Sequence, residues 1–103
     1  MSNIIEKNRD TLFELCRKYH VVKLDVFGSA ATGEFDEKTS DIDFLVQFDS
    51  GMKKGRFDNF FSLLDELRGL FGRNIDLVEP QGLSNPYFIE QVNRTRKNIY
   101  AVS

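Results

Sequence analysis

The chain has 103 residues, 41% of them hydrophobic and 29% charged, which is apolar material for one core of ordinary domain size and too much for a disordered segment. Its 14 Lys and Arg against 16 Asp and Glu give a net charge of -2, so the overall basic field of a general nucleic-acid binder is excluded and any polyanion must be met locally. One cysteine and one histidine exclude a disulfide framework and Cys- or His-rich metal cages, leaving oxygen atoms as the ligands for any metal.

Residues 3 to 19 carry Ile4, Ile5, Leu12, Phe13, Leu15, Cys16 and Tyr19 at three- and four-residue spacings, which predicts one amphipathic helix. Val22, Leu24 and Val26 alternate with Lys23 and Asp25, predicting a strand with one wetter face that ends at Phe27-Gly28-Ser29. Ala30 to Thr32 is a brief helical turn stopped by Gly33, and Glu34 to Ser40 is a polar loop. The next strand is predicted from Asp41, with Ile42, Phe44, Val46 and Phe48 on one side and Asp41, Asp43, Leu45 and Gln47 on the other. A basic loop follows, with Lys53, Lys54 and Arg56, then a helix from Phe57 to Phe71 closed by Gly72. Asn74 to Glu79 is a third strand. Asn85 and Pro86 open a last helix that is predicted to run to about Asn98, and Ile99 to Val102 is either a terminal edge strand or a frayed tail. Helices interleaved with three strands predict an α/β domain of the α+β type, a small mixed sheet with flanking helices. No apolar run approaches the ~20 residues that span a bilayer and the N-terminus has no signal core, so a soluble, cytoplasmic setting is expected.

The chemistry-bearing residues lie between Phe27 and Phe48. Asp41 and Asp43 share a strand face with α-carbons roughly 6.5 Å apart, so both carboxylates can converge on one magnesium or flank a pair. Together and uncompensated they would repel, a penalty that a divalent cation removes. Alone, the same two residues could simply open a strand near solvent. Gly28 lets the chain turn tightly and approach a ligand, and the amides and hydroxyl that follow at Ser29 suit an anion, although Ser29 could equally be an ordinary helix cap. Asp76, set among Ile75, Leu77 and Val78, faces away from Ile75 and Leu77. If its strand pairs beside that of Asp41 and Asp43, three carboxylates meet, enough for two magnesium ions at the ~3.5 to 4 Å spacing of phosphoryl transfer; on an edge strand it would merely be exposed.

Gly28-Ser29, Gly33, Ser40-Asp41-Ile42-Asp43-Phe44-Leu45-Val46 and Ile75-Asp76-Leu77-Val78 together resemble the minimal nucleotidyltransferases of the DNA polymerase beta superfamily, including the antitoxin-like partners of HEPN-domain proteins. The resemblance implies that residues 1–103 form one nucleotidyltransferase domain that uses magnesium and ATP. It implies nucleotide-binding roles for Gly28, Ser29 and Ser40, and metal-binding and catalytic roles for Asp41, Asp43 and Asp76. It further implies transfer of AMP to a hydroxyl, a tyrosine of a HEPN toxin being the leading acceptor; a small-molecule acceptor, or neutralisation of a partner by binding alone, are the alternatives. At this length no module for gripping nucleic acid is expected. Many members carry arginine where this chain has Ala30 and Thr32. For the remaining residues plainer roles are expected: the Arg94, Arg96 and Lys97 cluster complements a helix end, His20 lies at the surface, and Cys16 packs in the core.

Overall fold

The structure, a computed structural model, describes residues 3–33, 41–51 and 55–102. The N-terminal periodicity resolves into two helices, α1 (Asn3–Lys7) and α2 (Arg9–Lys18). The single helix predicted there is broken at Asn8, whose side-chain amide donates to the Ile4 carbonyl at 2.8 Å while its backbone sits at φ -109°. Asparagine competes with the helical ladder in this way because its short side chain mimics a backbone donor. Strand β1 (Val21–Phe27), the short helix α3 (Ser29–Thr32), strand β2 (Ile42–Phe48), helix α4 (Arg56–Phe71) and strand β3 (Ile75–Val78) follow. A 3-10 turn at Pro80–Gly82 leads to helix α5 (Pro86–Thr95) and strand β4 (Lys97–Ala101).

The C-terminal boundary differs from the predicted one. Helix α5 stops at Thr95 rather than near Asn98, and the apolar tail is a strand, hydrogen-bonded antiparallel to β1. The sheet order is β3-β2-β1-β4. Strands β1 and β2 pair antiparallel and β2 and β3 pair parallel, so the sheet is mixed, as predicted.

The register assigns the two faces. Leu24 and Val26 lie opposite Val46 and Phe44, and Ile75 lies beside Ile42. These residues form the main core with Leu12, Leu15 and Cys16 of α2 and Leu63, Leu64, Leu67 and Phe71 of α4. The other face presents Lys23, Asp25 and Phe27 opposite Gln47, Leu45 and Asp43. Among the described residues it is covered in part, by a small second core in which Val92 of α5 meets Phe27 and Leu45. Gly72 closes α4 in the left-handed region, φ 64°, its amide bonding the Arg68 carbonyl, and Asn85 caps α5 by accepting from the amides of Tyr87 and Phe88. Among the described residues no helix is long and apolar enough to cross a membrane.

Candidate active site

Two neighbouring strands bring the acids together. In the parallel pair, Asp43 of β2 lies in register with Asp76 of β3, and residues paired in register project from the same face. Asp76 therefore stands beside Asp43 on the partly uncovered side of the sheet. Burial pushes the Asp43 carboxyl up to about 7, helped by a hydrogen bond with Asp76 and by the like charges of Asp76 and Asp41. Asp41 lies one residue ahead of β2, which begins at Ile42 and not at Asp41 as predicted, and its side chain is exposed.

The antiparallel neighbour delivers the turn. Phe27, the last residue of β1, pairs with Asp43, so Gly28 arrives directly against the acid. A Cβ at Gly28 would stand 2.6 Å from Asp43 Oδ2, and the backbone there has φ 71°, ψ -148°, a region that is essentially glycine-only. The Gly28 carbonyl accepts from the amides of Ala31 and Thr32. The helical bonds of α3 thus start at Ala31, so the Ser29 amide lies ahead of the first one, on a residue that is partly exposed. Ala30 is fully buried, whereas Thr32 is exposed; of the two departures from arginine, only position 32 faces outward.

A hard cation suits this donor set. The ligands on offer are all carboxylate oxygens, and Asp43 is half-buried beside like charge with no cationic partner among the described residues to offset it. The strands pair as the three-carboxylate expectation requires, yet among the described residues no three acids, histidines or cysteines gather closely enough to hold a metal; what the structure brings together is the Asp43–Asp76 pair, with Asp41 acting on Asp43 through its charge. Ser40 lies outside the described residues, as do the Glu34 to Ser40 loop and the Lys53-Lys54 pair.

One acid was misread from the sequence. Asp25, predicted on the wetter face of β1, is 2% exposed; its carboxylate accepts from Asn98 Nδ2 at 2.8 Å and lies 3.4 Å from Arg96 Nε. Thr95, which accepts the Gly28 amide at 2.9 Å, was not singled out either. An acid within Val-Val-Lys-Leu-Asp-Val-Phe is the same signal that marks Asp76. The basic cluster is split by this arrangement: Arg94 pairs with Glu90 at 2.7 Å, Arg96 turns to Asp25, and Lys97 belongs to β4. Cys16 is buried and its thiol is pushed up to about 12 by that burial, which leaves it without a reactive thiolate.

Residues 9–99 match the nucleotidyltransferase domain family. The chain belongs to that family. This nucleotidyltransferase is 37% identical over 92 residues to a Methanocaldococcus jannaschii protein named as a candidate protein adenylyltransferase, covering 89% of this chain and 87% of the relative. A solved structure described as a candidate minimal nucleotidyltransferase superposes with a TM-score of 0.74 at 34% identity, over 94% of this chain and 95% of that one. The fold is also that of a chain in the solved complex of a tri-AMPylated Shewanella oneidensis HEPN toxin with MNT antitoxin, with a TM-score of 0.64 at 19% identity over 94% of this chain and 72% of that one.

Proposed function

We propose that residues 1–103 work as one minimal nucleotidyltransferase domain that moves AMP from magnesium ATP onto a protein hydroxyl, a tyrosine of a HEPN-domain toxin, and thereby acts as its antitoxin. The observation that carries the reading is the juxtaposition of Gly28, Asp43 and Asp76 on three adjacent elements. The name of the M. jannaschii relative and the composition of the S. oneidensis complex support the choice of a protein acceptor.

In this reading Asp41, Asp43 and Asp76 hold magnesium, which when bound neutralises phosphate charge and lowers the pKa of the acceptor hydroxyl. The Ser29 amide and hydroxyl hold the triphosphate tail, and Ser40 adds a further contact to the nucleotide. Gly28 matters because any side chain there would drive the Asp43 carboxylate from its place. Asp76 orients the attacking hydroxyl and takes its proton. The acceptor oxygen forms a bond to the α-phosphorus, the bond from that phosphorus to the bridging oxygen breaks, and pyrophosphate leaves with the electron pair.

The test is to incubate the chain with a HEPN-domain partner, magnesium and ATP, and weigh the partner. An added AMP that disappears in Asp41→Asn, Asp43→Asn is the expected result; an unmodified partner would refute transfer. A second reading, neutralisation by binding alone, draws on the outward-facing Thr32, which offers no positive charge to the triphosphate where many members have arginine. Its signature is a partner that is inhibited yet unchanged in mass.

A further inference from the structure

We infer that Thr95 is a positioning residue for the nucleotide: its hydroxyl fixes the peptide between Phe27 and Gly28 and so sets the turn that faces the triphosphate. The inference rests on the nucleotidyl-transfer reading above. Thr95 is the last residue of α5, and its Oγ1 both donates to the Gln91 carbonyl at 2.9 Å and accepts from the Gly28 amide at 2.9 Å. The first bond commits the hydroxyl proton, leaving the oxygen lone pairs for Gly28. The Gly28 amide needs such a partner, because the β1–β4 ladder ends at Val26 opposite Lys97 and a half-buried amide left unpaired is costly.

The grip is doubled nearby. Just past Thr95, Arg96 and Asn98 hold the buried Asp25 carboxylate, so the α5–β4 junction clasps β1 at Asp25 and again at Gly28. With that peptide fixed, Gly28 is pressed against Asp43 on one side and its carbonyl receives the first amides of α3 on the other. The direction in which the Ser29 amide points is therefore set from the far end of α5.

Thr95→Val keeps the branched shape and removes both hydrogen bonds, while Thr95→Ser keeps the hydroxyl. Two quantities are read on the full chain: exchange of the Gly28 amide proton by NMR without nucleotide, and affinity for magnesium ATP by calorimetry. In Thr95→Val, exchange is expected to quicken and the dissociation constant to rise, each about three- to tenfold, as for one lost hydrogen bond; Thr95→Ser should stay within about twofold of the unaltered protein on both. Unchanged exchange and affinity in Thr95→Val would overturn the inference. So would equal losses in both variants, which would assign the effect to packing, and so would faster exchange with unchanged affinity, which would make Thr95 a contact of the fold alone. If the unaltered protein binds no magnesium ATP, the parent reading falls and takes this one with it.

Discussion

Replacing Gly28 by alanine separates two costs that the structure places on one atom. The first is backbone: at φ 71°, ψ -148° a residue with a side chain carries strain of about 1–3 kcal/mol. The second is the contact of 2.6 Å between the new Cβ and Asp43 Oδ2, which forces the carboxylate to rotate out of its place. The melting temperature of a domain this size moves by about 4–8 °C per kcal/mol, so Gly28→Ala should melt roughly 10 °C lower. Displacement of Asp43 adds a loss of transfer on the order of 100-fold, the scale of a misplacement of about 1 Å. The assay is a thermal melt with a count of AMP transferred, the melt alone being repeated for Gly28→Ala in an Asp43→Ala background. There the clash is gone and only the backbone cost remains, so the difference between the two backgrounds reads the clash alone. A Gly28→Ala protein that melts within about 2 °C of the unaltered chain and transfers AMP at full rate would refute the reasoning.

The raised Asp43 carboxyl and the Asn85 cap each set a measurable outcome. Because the folded-state Asp43 carboxyl is raised from 3.8 to about 7, the folded form holds a proton that the unfolded form has released between those pH values. Without magnesium, Asp43 should therefore cost stability progressively as pH rises through that window, with the loss complete above it; melts in a chelator should show the fall relative to Asp43→Asn, added magnesium should reverse it, and an unaltered chain that tracks Asp43→Asn throughout would refute the account. Asn85→Ala removes the side-chain oxygen that accepts from Tyr87 and Phe88 and should cost about 1 kcal/mol of stability, read as a lower urea midpoint with an unchanged slope.

What could be read from the sequence was what a local pattern encodes. Alternation through Ile42, Phe44, Val46 and Phe48 predicted which side of β2 meets the core, and Asn85-Pro86 and Gly72 predicted helix ends that the hydrogen bonds bear out. The parallel register of Asp43 with Asp76 appeared only as a condition, because strand order is a long-range property that spacing does not carry. Asp25 was misread for a related reason. Its partners, Arg96 and Asn98, lie more than 70 residues away in the chain, and without them an acid in an apolar strand looks like a surface residue. The break at Asn8 and the early end of α5 were hidden because a side-chain bond to a backbone carbonyl and a capture by β1 both override an otherwise helical periodicity.

The two sides of the sheet are unequally insulated. The side facing α2 and α4 is sealed by a broad apolar layer, while the acid-bearing side relies on Phe27, Leu45 and Val92 with a fringe of Val78, Leu83 and Phe88. Each buried side chain of this kind contributes about 1.5–3 kcal/mol, so lifting α5 uncovers only a few of them and costs far less than melting the whole domain. Solvent and proteases should therefore enter first over the acid-bearing side of the sheet.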